Sequence, residues 1–395
     1  MQLCFFEDDM CKNFHPLTLT RPVDDLRIGI MTIAQKWEYA LNASSIHRIV
    51  REDLKSEFPS HQLDASKPCY FINSRYVPEP TLLEKVRDLS PGNCLQNAEN
   101  IIVACIDGET AKDWMTKGKP NFNSLFILES QEFLSIEQLW DLFKINGGQI
   151  KQDIELIQPS KGGGQISEHA ILQNPEDIYI EGGATIEAGC ILNAENGPIY
   201  IGENATVMNG ALLRGPVAVC EGATIKMGAK IYEDTTIGPV CKVGGEVNNS
   251  IFHSYSNKGH DGFLGNSIIG QWCNLGADTN TSNLKNNYST VRITEWDSET
   301  EIETGEQFFG TVMGDHTKTA INTQLNTGTI CGVSCNIFSN DFPAKFIPSF
   351  SWVGPNVIQP YKLDKAFDAM QAMMARRDTE LTKSIKKNNS RFVQT

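Results

Sequence analysis

The chain has 395 residues, 40% of them hydrophobic and 21% charged, the profile of a folded globular protein too long for one compact core. Its formal charge of −14 argues against nucleic acid or anionic lipid as a partner, since both require clustered Lys and Arg. No apolar run approaches the ~18 residues of a membrane span. The eleven cysteines never stand at C-x-x-C spacing, which points to reduced core thiols in a cytoplasmic protein and away from zinc.

In chain order, MQLCFFEDDM is a short apolar run followed at once by acids, so it reads as a first buried strand and not as a signal peptide. The runs C-Y-F-I, I-I-V-A-C-I and L-F-I-L are further short strands. Helical stretches, I-M-T-I-A-Q-K-W-E-Y-A-L and S-I-E-Q-L-W-D-L-F-K-I, accompany them. The alternation predicts an α/β domain with a mostly parallel sheet over residues 1–158, and S-K-G-G-G-Q falls in a linker at 159–165.

Within that domain, F-H-P-L-T-L-T-R-P-V-D-D-L-R-I-G-I resembles the signature of sugar-1-phosphate nucleotidyltransferases, through Pro16, Leu17 and Thr18 and then Arg21-Pro22. The preceding loop, E-D-D-M-C-K-N-F-H, has no glycine to let backbone N–H groups cradle a triphosphate. Val23 stands where the family has a lysine, and F-I-N-S-R-Y-V-P stands where its Mg²⁺-holding Asp is expected. In place of the missing features, Arg21, Arg27, Asn73 and Arg75, with Thr18 of the matched P-L-T, are the candidates for phosphate contacts, guanidinium groups being suited to bidentate phosphate binding. The alternative is that the charged ones anchor loops through internal ion pairs. Asp107, in A-C-I-D-G-E, is either a ligand at a strand end or an Asp opening a D-G turn.

From Ile201 an aliphatic residue returns every six positions, through Val207, Leu213, Val219, Ile225, Ile231, Ile237 and Val243. Ile180, Ile186 and Leu192 keep the period upstream, and Phe263, Ile269 and Leu275 resume it after an interruption. Six fits neither an α-helix nor an alternating strand. It fits a solenoid of triangular coils in which each short strand points one aliphatic side chain inward, with Gly, Asn and Asp at the corners. Residues 166–362 are therefore expected to form a parallel β-helix, left-handed by resemblance to hexapeptide-repeat proteins.

The interruption contains Lys258, His260 and Asp261, and K-G-H-D-G-F-L-G-N-S-I-I-G-Q-W-C-N-L-G-A-D-T-N-T-S-N continues from it. This stretch, with the later M-G-D-H-T-K-T-A-I-N-T-Q-L, resembles the acetyltransferase domain of bifunctional N-acetylglucosamine-1-phosphate uridyltransferases. The resemblance covers most of the repeat domain and implies His260 as catalytic base, Asn283 as a catalytic-site asparagine and Asn274 as a substrate contact. It further implies acetyl-CoA and UTP as co-substrates, an amino-sugar phosphate acceptor, Mg²⁺, and a homotrimer. Of the lysines on adjoining coils (Lys226, Lys230, Lys242 and Lys258), Lys258 and Lys230 are the candidates for the sugar phosphate. Phe263 and the pair Asn248-Asn249 depart from the family's Tyr and basic pair, which leaves the acceptor open. Two other readings stand beside this one: a single-activity nucleotidyltransferase with a scaffold β-helix, and a non-catalytic subunit that senses sugar nucleotides.

The tail, 363–395, is helical by pattern, with Ala366, Met370, Met373 and Met374 on one face. Its Arg376 and Arg377 are either solvated charges or ligands of the CoA 3′-phosphate.

Overall fold

A computed structural model describes residues 1–60, 62–97, 100–130, 132–160, 162–355 and 357–392. Lys161 of the expected linker and the last three residues of the tail lie outside the described residues. The chain forms two compact units.

The first unit comprises Met1–Phe14, Thr20–Leu26 and Met31–Gln138. Its strands are β1 (Gln2–Phe6), β2 (Ser45–Ile49), β3 (Cys69–Asn73), β4 (Asn93–Asn97), β5 (Asn100–Ile106) and β6 (Phe126–Ser130), and its helices are α1 (Ile33–Leu41), α2 (Pro80–Arg87) and α3 (Gly108–Lys117). The sheet runs in the order β2-β1-β3-β5-β4-β6. Three of the pairings are parallel (β1–β2, β1–β3, β4–β6), and β5 runs antiparallel to both neighbours. On one face Cys4, Phe6, Cys69 and Phe71 pack against Ala111 and Trp114 of α3. Phe71 and Trp114 meet edge to face at 5.4 Å.

The second unit holds His15–Leu19, Arg27–Ile30 and everything from Leu139 onward. The division between compact units comes before the helix α4 (Leu139–Ile157). Packing explains this: Phe143 of α4 meets Phe309 edge to face at 5.5 Å, and Asn146 Nδ2 donates to Thr236 Oγ1 at 3.0 Å. Arg27–Ile30 is tied to the same helix, because Gly29 N donates to Asn146 Oδ1 and Ile30 N to Asp153 Oδ2, each at 2.7 Å.

Beyond α4 the chain is a parallel β-helix, its short strands stacked in parallel ladders. Three inward ladders define it. One face aligns Ile180, Ile201, Val219, Ile237, Phe252, Ile269, Met313, Cys331 and Ile347 in parallel register. A second aligns Leu172, Leu192, Leu213, Ile231, Val247 and Leu264. The third aligns Ile166, Ile186, Val207, Ile225, Val243 and Lys258. Phe263, expected in the ladder, instead pairs with Glu246 on the outer surface, and Leu264 takes the inward place. After Val243 the inward places fall at Val247, Phe252, Lys258 and Leu264, so the first two coil sides are shorter than six and the phase changes.

Glycine and Asn hold many corners, as expected. One corner differs: Val240, Tyr255, Trp272, His316 and Phe350 all adopt positive φ, between 55 and 62°. Side chains at this corner are covered, since Trp272 and Phe350 pack against Ala366, Met370 and Met374 of the helix α5 (Leu363–Ala375). Tyr255 stacks on Trp272 at 4.3 Å. Burial against α5 compensates a backbone conformation that bulky residues otherwise avoid.

Ile237 sits in the longest ladder at 0% exposure. Ile237→Ala is expected to cost about 2–5 kcal/mol in urea unfolding, through lost transfer energy plus the cavity left between coils. A cost below about 1 kcal/mol would contradict a closed core at that coil.

Candidate functional site

The residues named from the first domain's signature do not gather into a binding site. Arg75 is 3% exposed and grips Asp8 with two nitrogens, Nη2 at 2.6 Å and Nε at 2.9 Å, while its Nη1 donates to Ile136 O. Asn73 donates to the same Asp8 at 2.8 Å. Burial pushes the Asp8 carboxyl up, but the bonds from Arg75 and Asn73 outweigh it and hold the group below the usual range. Arg21, also 3% exposed, pairs with Asp25 at 2.7 Å. In the second unit, Arg27 donates through Nε to His253 O at 3.0 Å, and Thr18 is fully buried in the short turn Leu17–Leu19. Asp107 caps α3, its Oδ1 accepting from Thr110 N at 3.0 Å. These are structural duties, the alternative weighed above. Arg75→Met is accordingly expected to destabilise the chain by about 3–5 kcal/mol in urea, because Asp8 is left partly buried and uncompensated. Unchanged stability with lost nucleotide binding would restore the ligand role.

The second unit does assemble a site. His260 is exposed and borders two cavities. The larger, about 700 Å³, runs from His260 and Asn274 to the end of α5. It is lined by five cations: Lys226, Lys242, Lys318, Arg376 and Arg377. The smaller, about 540 Å³, adds Asp261 and Asp278 to His260 and Lys226. His260 thus stands between a basic chamber and a chamber with two carboxylates.

The cations are held as neighbours at a cost. Burial lowers Lys242, and Arg377, Lys226 and Arg376 push it down further. Burial also lowers Lys318 to about 8, and its ammonium donates to His316 O at 2.8 Å. Arg377 Nη2 reaches Asn257 Oδ1 at 3.4 Å, whereas its Nε is buried without a hydrogen-bond partner among the described residues. Crowded, incompletely satisfied cations suit a polyanionic ligand.

Three expected site residues fall outside this arrangement. Lys258 is 1% exposed, and its ammonium turns onto backbone carbonyls instead of a substrate. Lys230 lines a separate groove of about 220 Å³ with Arg214 and Tyr232 on another face. Asn283 gives its amide to Asn266 Oδ1 at 2.8 Å and borders neither His260 cavity. Conversely, Lys318 and the rim residues Tyr255, Asn257 and Trp272 carry no local motif that would single them out. They meet Arg376 and Arg377 only because α5 folds back over its corner.

Residues 3–161 match the sugar nucleotidyl transferase family. The bifunctional protein GlmU of Synechococcus elongatus is 26% identical over 217 residues, covering 50% of this chain and 42% of that protein. GlmU of Methanococcus vannielii is 32% identical over 114 residues, covering 29% of this chain and 25% of that one. Over these stretches the chain is similar to the GlmU proteins. It spans less than half the length of these two relatives. A solved UDP-N-acetylglucosamine acyltransferase overlaps 55% of this chain and 78% of its own at 13% identity, with a TM-score of 0.31. Among the described residues, no three His, Cys, Asp or Glu side chains gather to hold a metal ion. The segment where a Mg²⁺-holding Asp is expected carries Asn73 and Arg75 instead, both bonded to Asp8, and so does not offer the carboxylate that nucleotidyl transfer implies. No helix is long and apolar enough to cross a membrane.

Proposed function

We propose that the β-helix transfers an acyl group, acetyl by resemblance, from a CoA thioester to the amine of an amino-sugar 1-phosphate. The observation that carries this reading is the exposed His260 at the mouth of a chamber lined by five cations. Phosphates of CoA bind Lys226, Lys242, Lys318, Arg376 and Arg377, which leaves the thioester beside His260. The acceptor amine enters from the side of Asp261 and Asp278. Its nitrogen attacks the thioester carbonyl carbon as His260 takes the amine proton. Collapse of the tetrahedral intermediate breaks the C–S bond, and the imidazolium returns the proton to the leaving thiolate.

A wider reading adds uridylyl transfer from UTP to the acetylated sugar phosphate on the first unit, giving UDP-N-acetylglucosamine and pyrophosphate, and it requires Mg²⁺ to be held by groups other than a preformed carboxylate cluster. The match of residues 3–161 supports it. The internal ion pairs of Arg21 and Arg75 favour a second reading, in which the first unit binds a sugar nucleotide without turning it over. A cytoplasmic homotrimer belongs to the proposal. The eleven cysteines form no disulfide among the described residues, which suits a reducing compartment, and Ile171 and Leu212, 52% and 41% exposed on either side of Ile191 in one outward row, suit a subunit contact.

The test is an assay of the purified chain with acetyl-CoA, UTP and a panel of amino-sugar 1-phosphates. Thiol release and pyrophosphate release are followed separately. Amine-dependent thiol release is expected. Its absence with every amino sugar would remove the acyl-transfer reading, and thiol release without pyrophosphate would leave the second reading for the first unit.

A further inference from the structure

Lys258 occupies an inward place in a ladder that is otherwise aliphatic: Ile166, Ile186, Val207, Ile225 and Val243 precede it in register. A lysine there exchanges a hydrophobic contact for a buried ammonium, which core packing alone does not favour. Its Nζ is fully engaged. It donates to Gly262 O at 2.5 Å, His260 O at 3.1 Å and Gly244 O at 3.2 Å. Two of these carbonyls belong to the corner that carries His260, and the third belongs to the coil before it. The corner is tight at its far end as well. Gly262 has a φ of +116°, and a Cβ there would lie 2.2 Å from Thr279 O.

We propose that Lys258 is a positioning residue, clamping the Gly259–Gly262 corner so that the His260 imidazole is presented at the junction of the two cavities. The catalytic part of this inference rests on the acyl-transfer reading, whereas the clamp stands on geometry alone. The charged groups that act on the ammonium are Asp261 and Asp278, which favour its protonated form, against burial, which is the larger effect and brings the group to about 8. A protonated amine gives three donors for three carbonyls, and a neutral amine gives two. The clamp therefore loosens as pH rises through about 8.

The test is Lys258→Met in the full chain, which restores the aliphatic ladder. Expected are a folded protein, a fall in kcat of at least about tenfold with an unchanged KM for acetyl-CoA, and loss of the alkaline limb of the kcat profile. Amide exchange at residues 259–262 becomes at least about tenfold faster. Wild-type kcat and pH profile in the variant would overturn the proposal. So would a raised KM for the amine at unchanged kcat, which marks a substrate contact. If wild type shows no acyl transfer, that reading fails by itself, and exchange at residues 259–262 still decides the clamp: equal protection in both proteins overturns it. Should the variant not fold, the amide resonances of Asp261 and Gly262 in the wild-type chain decide. Movement with a midpoint near pH 8 supports the clamp, and no movement overturns it.

Discussion

His260→Ala is expected to lower the kcat of acyl transfer by about 10²–10⁴-fold, the usual worth of a general base, while the affinity for CoA stays within about threefold. The two halves of that expectation have different origins. His260 borders the basic chamber without closing it, so CoA phosphates still meet Lys226, Lys242, Lys318, Arg376 and Arg377 when the imidazole is gone. The amine, however, must lose a proton as it attacks, and among the residues shared by the two cavities His260 is the one with a base suited to neutral pH. Stopped-time thiol release gives kcat, and calorimetric titration with CoA gives affinity. Wild-type turnover in the alanine variant would remove His260 from the mechanism. A matching collapse in CoA affinity would recast it as a binding residue.

The second large effect concerns the chamber itself. Replacing Arg376 and Arg377 together by alanine is expected to weaken CoA about 100-fold or more, since charge-assisted hydrogen bonds contribute about 1.5–3 kcal/mol each. The loss should be greatest at low ionic strength and shrink with added salt. Dephospho-CoA, which lacks the 3′-phosphate, should lose part of the same energy in wild type and little in the double variant. Equal affinities of the two proteins for CoA would restrict the arginines to capping α5.

Lys318 adds a pH signature. Burial lowers its folded-state value to about 8, below the ~10.4 of an unfolded lysine. Between those values the unfolded chain binds more protons, so this group's contribution makes stability rise with pH across the window and is unfavourable below about 8. Lys318→Met is expected to abolish that contribution, so the difference in urea midpoint between variant and wild type should narrow from pH 7 to pH 10. An anion beside the ammonium favours its charged form. CoA binding near pH 8.5 should therefore take up protons, and affinity should fall as pH rises through about 8. Calorimetry in two buffers of different ionisation enthalpy reads the uptake directly. The chain retains a lysine that burdens its fold, as expected for a group kept for binding.

How much of this was written locally differs from element to element. The period of six from Ile201 to Val243 specified the β-helix without help from any relative, because one inward aliphatic per short strand leaves no other periodic solution. His260 was visible too: a histidine between glycines and an Asp-Gly pair, at the point where the period breaks, has no place in an aliphatic core. The α/β character of the first 130 residues followed from short buried runs spaced by helical ones.

Partner choice was not visible. Sequence marked Arg21, Arg27 and Arg75 as cations near a nucleotide signature, but only the fold shows Asp25, the His253 carbonyl and Asp8 occupying them. Lys258 stood two residues from His260 and looked like a ligand, yet register turned it inward onto carbonyls. The chamber drew Lys226 and Lys242 from adjoining coils, Lys318 from three coils further on, and Arg376 and Arg377 from beyond α5, residues up to about 150 positions apart. Periodicity is a local property that the chain carries by itself, so it determined the scaffold and the break that exposes His260. A binding site is a convergence of distant side chains, and coil register together with the docking of α5 on its aromatic corner decided which of them meet.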